Sequence, residues 1–246
     1  MPSGEGYLQF FTNIFILKKI RHLPHYVVIY LQGHTNLNTH KQILFIGDYK
    51  HMKILIGCEE SGRVREAFRG VGHDAWSCDL LPCAENPSKY HIQDDLLKVI
   101  KSEKWDMIIS FPPCTHLALS GAKYFHEKIA DGRQQSAIDF VETIWDTDCK
   151  VAIENPVGVL STKSKLGKAT QYIQPYWFSE RQRKKTGLWL KGLPKLVPTD
   201  MVDISKVPEK ELNKLYYLAP SPTRAIERSK TFHGVAQAMA QQWGSL

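Results

Sequence analysis

An α/β fold on a doubly wound, mostly parallel sheet is what this 246-residue chain predicts, for three reasons. From Met52 onward, short apolar runs alternate with segments of helical spacing, as in strands joined by crossover helices. Glycines and prolines punctuate the joins, among them Gly57, Gly62, Gly70, Gly72, Pro112, Pro113 and Pro156. A hydrophobic content of 43% in a chain of this length is enough for one sizeable core with helices on both faces of a sheet.

Residues 53–57 (Lys-Ile-Leu-Ile-Gly) form the first strand of this pattern. A helix follows over 62–69, with Val64, Ala67 and Phe68 on one face and Gly70 and Gly72 ending it. Residues 73–78 are a second strand with Asp79 at its end, and 94–101 a short helix. The strand at 105–110 runs into Phe111-Pro112-Pro113-Cys114-Thr115. A longer helix over 130–145 buries Ile138, Val141, Ile144 and Trp145. The strand at 150–153 is closed by Glu154-Asn155-Pro156. Beyond Gly158 the pattern loosens. Residues 161–185 are polar and basic with Tyr172, Tyr176, Trp177 and Phe178 interleaved, 186–190 is a strand, 191–230 is Pro-rich and irregular, and 232–243 is a closing amphipathic helix.

Residues 1–51 keep no clear period, whereas the strand after Met52 starts cleanly. We therefore place a domain at 52–246, preceded by an appendage or upstream extension of unknown role. The apolar stretch 8–17 falls well short of the ~20 residues of a membrane span. Its charges, Lys18-Lys19, follow it rather than precede it, unlike a secretory signal.

The five cysteines (58, 78, 83, 114 and 149) form no CxxC pair and show no zinc-type spacing, so no metal site is expected. Their odd number fits reduced thiols in a cytoplasmic protein. A net charge of +7 favours a polyanionic partner such as nucleic acid.

Four groups carry chemistry. Cys114 follows a Pro-Pro pair at a strand end, where fixed φ angles hold a thiol on a rigid shelf; the competing reading is an ordinary turn. Glu154-Asn155 closes a neighbouring strand, so a carboxyl faces the same sheet edge as the thiol. A thiolate can attack an electron-poor ring while a carboxyl protonates or holds it. Cys58-Glu59-Glu60-Ser61-Gly62 occupies the cofactor turn of a doubly wound fold, but its two acids would repel a pyrophosphate. They suit a cofactor with a sulfonium and an amino group, or simply cap the helix. Asp79 is placed for ribose hydroxyls, and Asp94 or Asp95 for an adenine amino group, one of the two being a helix cap. Last, the basic run Arg181-Gln182-Arg183-Lys184-Lys185 suits phosphate contacts or is a solvated surface.

In the order and spacing of these motifs the chain resembles the DNA cytosine-5 methyltransferases, especially compact phage and prophage members, over residues 52–244. The resemblance implies a Rossmann-like class I fold, S-adenosylmethionine as cofactor, double-stranded DNA as partner and the bacterial cytoplasm as location. It implies Pro113-Cys114 as the prolyl-cysteine nucleophile and Glu154-Asn155 as the pair at the target cytosine. Cys58, Glu59, Glu60, Ser61, Gly62, Asp79, Asp95 and Pro112 would then surround the cofactor, and Arg183 and Lys185 would match the family's basic motif. Three features depart from the family. The cofactor turn keeps only its last glycine, Phe-Pro-Pro-Cys replaces Gly-Phe-Pro-Cys, and only about forty residues stand where a recognition domain is expected. A weakly catalytic DNA-binding protein on this fold, or a methyltransferase acting on RNA or a free pyrimidine nucleotide, are the alternative readings.

Overall fold

The computed structural model describes residues 50–85 and 87–246, with three strands ahead of them, β1 (Asn13–Ile16), β2 (Val27–Thr35) and β3 (Asn38–Ile46). The chain divides into two compact units, Met1–His51 with Ser245 and Met52–Gly244 with Leu246. In the first unit, β1, β2 and β3 pair antiparallel in sequence order, with Thr35 opposite Asn38. The sequence pattern gave no element there. The apolar stretch 8–17 and the lysines after it lie largely outside the described residues.

The second unit holds a seven-stranded mixed sheet. Its strands are β4 (Lys53–Gly57), β5 (Asp74–Asp79), β6 (His91–Gln93), β7 (Met107–Ser110), β8 (Lys150–Pro156), β9 (Gln171–Ile173) and β10 (Thr186–Lys191), in the order β6-β5-β4-β7-β8-β10-β9. The first five strands in space, β6 to β8, make four parallel pairings, and β10 runs antiparallel to both β8 and β9. Strand order reverses between β4 and β7. Open α/β sheets bind their ligands outside the carboxyl ends of the strands at such a reversal.

Side-chain alternation covers both faces. Ile54 and Ile56 of β4 and Ile109 of β7 join one core with α1 (Arg63–Gly70), through Val64 and Phe68. Leu55 and Ile108 join the opposite core with α2 (Leu96–Ser102). Two further helices follow, α3 (Phe125–Ala130) and α4 (Arg133–Trp145), and α4 adds Ile138, Val141 and Ile144 to that second core. The remaining helices are α5 (Leu160–Lys163), α6 (Glu209–Leu212), α7 (Arg224–Ser229) and α8 (His233–Trp243). From α8, Val235, Met239 and Trp243 complete the α1 core. Burying side chains of this size contributes about 1.5–3 kcal/mol each. Among the described residues no helix is long and apolar enough to cross a membrane.

Three boundaries differ from the sequence expectation for identifiable reasons. The helix expected over 130–145 is cut at Gly132, whose φ of 79° is left-handed, so α3 and α4 are separate. Strand β8 does not stop at Ile153. It pairs with β10 through Pro156, so Glu154 and Asn155 lie inside the strand rather than beyond it. Strands β6 and β9 have three residues each, too few to show a period.

Candidate active site

The turn after β4 is built around Glu59 and Gly62. Cys58 and Gly62 both have positive φ, 56° and 71°, which folds the chain back into α1. Glu59 is buried, and its carboxylate accepts the backbone N–H of Val64 at 2.6 Å and of Arg65 at 3.3 Å. Burial pushes its pKa up to about 7. Of the two readings of this acid, helix capping is the one its bonds express. Glu60 is different. It is also buried, yet neither carboxylate oxygen has a hydrogen-bond partner among the described residues. Desolvation raises its pKa, the ammonium of Lys230 opposes that shift, and Asp79 adds to it. Ser61 is buried and its hydroxyl accepts the Arg63 N–H at 3.4 Å, a second local cap.

A crevice of about 460 Å³ opens along the carboxyl ends of β4, β5 and β7. Cys58, Asp79, Asp95 and Leu96 line one side and Pro112, Pro113 and His116 the other, with Arg133 and Phe140 of α4 behind them. One oxygen of Asp79 accepts the Leu81 N–H at 2.9 Å, and one oxygen of Asp95 caps α2 through Leu97 N–H at 2.7 Å. Among the described residues the second carboxylate oxygen of each makes no hydrogen bond. Asp95 is thus both the helix cap and a lining residue, and Asp94 also lines the crevice while accepting from Asp95 N–H and Lys98. The Cys58 thiol, pushed up to about 12 by burial and then by Asp79, is neutral.

Cys114 directly follows Pro113 and precedes His116, both of which line this crevice, and it starts a single 3-10 turn. Its shelf is latched from several sides. The amide of Asn155 donates to the Pro112 carbonyl at 2.9 Å, tying β8 to the turn after β7. The ammonium of Lys128 donates to Thr115 O at 2.6 Å, and Gln134 donates to His116 O at 3.3 Å. Behind the turn, Leu117 and Ala118 pack on Gly158, with Val159 N–H donating to Leu117 O at 2.9 Å. A Cβ on Gly158 would meet Leu117 O at 2.1 Å. Gly158→Ala should therefore lower Tm by about 3–10 °C and slow any reaction at Cys114, because backbone has to move. Thermal unfolding beside Cys114 alkylation rates checks this; an unchanged alkylation rate would mean the shelf does not depend on that contact.

The structure brings Glu154, Lys184 and Arg228 within electrostatic reach of the Cys114 thiol. Desolvation is the largest influence and raises the thiol pKa, the Glu154 carboxylate raises it further, and Lys184 and Arg228 pull it back. Glu154 itself accepts a hydrogen bond from the Thr186 hydroxyl of β10. Lys184, Thr186 and Glu154 share the lining of one small cavity with Phe111 and Thr231.

Arg183 and Lys185 do not join this group. Arg183 is exposed and pairs with Glu209 at 3.1 Å, and the Lys185 ammonium sits 4.9 Å over the Tyr172 ring. The reason is the strand period. Gln182, Lys184 and Thr186 turn inward as the chain enters β10, and Arg181, Arg183 and Lys185 turn outward. Counting back by twos from Thr186 would have singled out Lys184; no sequence signal marks Arg228, His116 or Phe140. Neither a protein-family model nor a curated protein matches this chain.

Proposed function

We propose that this protein is an S-adenosylmethionine-dependent DNA (cytosine-5-)-methyltransferase with a Rossmann-like class I fold, acting in the cytoplasm. The observation that carries the reading is a thiol just beyond β7 and a carboxylate on the neighbouring strand β8, within electrostatic reach of each other, with Pro113 and His116 beside the thiol lining a switch-point crevice that Asp79 and Asp95 also line.

The residues present suit that cofactor. Asp79 and Asp95 each offer an oxygen for ribose hydroxyls and an adenine amino group. Glu60, buried without a hydrogen-bond partner among the described residues, is suited to an ammonium. When bound, S-adenosylmethionine supplies an electrophilic methyl group. The chain's own part is to activate the base. A cytosine taken out of the stack would be attacked at carbon 6 by the Cys114 thiolate. Glu154 holds the proton at ring nitrogen 3, which makes carbon 5 nucleophilic. Asn155 and Lys128 keep the shelf from retreating during attack. Once carbon 5 carries its methyl, loss of the carbon 5 proton to a base restores the double bond and expels the thiolate.

Incubating the protein with radiolabelled cofactor and unmethylated DNA, then mapping 5-methylcytosine by bisulfite conversion, tests this reading. Label in cytosine is expected. DNA binding without label would favour the second reading, a weakly catalytic DNA-binding protein, which the raised thiol pKa of Cys114 favours. Label in RNA or free pyrimidine nucleotide alone would replace DNA as substrate.

The role of Glu60 has its own test. Glu60→Gln should weaken S-adenosylhomocysteine about 10- to 100-fold, the worth of a charge-assisted hydrogen bond. Binding of methylthioadenosine, which lacks the amino-acid end, should not change. Calorimetry with both ligands decides it, and an equal loss for both would remove Glu60 from the amino-group role.

A further inference from the structure

The segment between β10 and α8 is too small for a groove-reading domain, since α6 has four residues and α7 six. It nevertheless displays Tyr216 and Tyr217, 73% and 56% exposed, with ring centroids 5.4 Å apart and planes at 81°. The edge of one ring meets a face of the other, and their exposure leaves the remaining faces open to solvent. The same segment carries cations. Lys210, Lys214 and Arg228 are exposed and have no ion-pair partner among the described residues. By contrast, Arg181 and Arg183 of the basic run are neutralised by Glu211 and Glu209 of α6. Lys184 and Lys185 of that run have no ion-pair partner among the described residues, and the tyrosine segment adds three further unpaired cations.

That segment is continuous with the candidate active site. Arg224 of α7 donates to the Tyr216 carbonyl at 3.4 Å. One helical turn on is Arg228, one of the two cations acting on the Cys114 thiol. Directly after α7, Thr231 and Phe232 line the cavity that holds Glu154 and Lys184. The far end of the segment is anchored as well, since Lys230 and Arg63 both clasp Glu85, at 2.9 Å and 2.6 Å.

We propose that Tyr216 and Tyr217, with Lys210, Lys214 and Arg228, form a stacking surface for single-stranded DNA leading into the candidate active site. The inference rests on the DNA methyltransferase reading for the identity of the polymer. Its preference for unpaired DNA follows from the rings. Base pairs in a duplex show edges in the grooves, whereas unpaired bases show faces, and stacking on aromatic side chains is tolerant of sequence. A target cytosine also has to leave the stack before its ring can be attacked, which costs least in an already open strand.

Fluorescence anisotropy of the full chain with a labelled cytosine-containing 20-mer, as a single strand, as its duplex and as the RNA of the same sequence, tests the inference at fixed salt. The DNA single strand should bind about tenfold or more tighter than the duplex. Tyr216→Ala with Tyr217→Ala should remove about tenfold or more of that affinity, and Tyr216→Phe with Tyr217→Phe should keep it. Far-ultraviolet circular dichroism of the alanine variant, with unchanged S-adenosylhomocysteine binding, shows that its fold is intact. Duplex or RNA binding as tight as single-stranded DNA overturns the inference, as does an alanine variant that binds like the original chain. Methyl incorporation is read separately, so a binder that transfers no methyl refutes the catalytic reading and leaves the stacking surface standing.

Discussion

Cys114→Ser should lower methyl transfer to DNA on the order of 10³-fold or more, while S-adenosylhomocysteine binding stays within about twofold. The hydroxyl is nearly the size of the thiol, and the Cys114 shelf is held through backbone atoms of Pro112, Thr115 and His116, so the substitution leaves the scaffold alone. What it removes is a soft nucleophile able to add to carbon 6. Filter-binding incorporation of labelled methyl and calorimetry with S-adenosylhomocysteine give the two readouts. Retained incorporation would end the covalent mechanism, and loss of cofactor binding would mean that the shelf had moved.

Glu154→Gln separates two roles of one carboxylate by giving them opposite signs. Methyl transfer should fall on the order of 10²-fold, since an amide cannot carry the proton at nitrogen 3. Thiol reactivity should rise. The Glu154 charge is the second cause, after desolvation, that raises the Cys114 pKa above its ordinary 9.0, so removing it enlarges the thiolate fraction at neutral pH. Iodoacetamide labelling of Cys114 at pH 7.5, followed by peptide mass spectrometry, should therefore accelerate a few-fold. Lys184→Ala should slow the same labelling, because Lys184 acts on the thiol with the other sign. Labelling at Cys58 stays slow throughout, its thiol being neutral at a pKa of about 12. In the unaltered protein, the rate of attack should climb nearly tenfold per pH unit from 7 toward 9, as the thiolate fraction grows below a raised pKa. A flat profile, or slower labelling in Glu154→Gln, would contradict this arrangement of charges.

Strands β4, β5, β7 and β8 and their helices were legible in the sequence because each strand carries a short apolar stretch closed by a glycine, proline or acid, whereas the three-residue β6 was not. Ile54 to Gly57 and Met107 to Ser110 are the clearest cases. The direction of β10 was not legible, and with it went the register that sets Thr186 against Glu154 and turns Arg183 outward. The split between Glu59 and Glu60 was equally hidden. Adjacent acids in a turn look alike until the helix they enter has an axis, and then only one can reach the free N–H groups of Val64 and Arg65. Arg228 lies more than a hundred residues from Cys114 in a stretch without period, and only the folded chain places it near the thiol.

The helix that closes the first core has a consequence for how the unit is made. Strands β4 to β8 and helix α1 are all synthesised before residue 157, yet one face of their sheet lacks its cover until α8 emerges. Trp243 is fully buried in that core, and the Gly244 carbonyl meets the His73 ring at 2.9 Å, while the other ring nitrogen of His73 accepts Met52 N–H at 3.2 Å. The start of the unit is thus pinned by residues nearly two hundred positions later. On the ribosome, Val64, Phe68 and Ile56 wait uncovered through most of translation, a period in which such surfaces recruit chaperones or aggregate. The core therefore closes only after residues 233–243 have been made, and higher temperature and faster expression should lower the yield of folded protein.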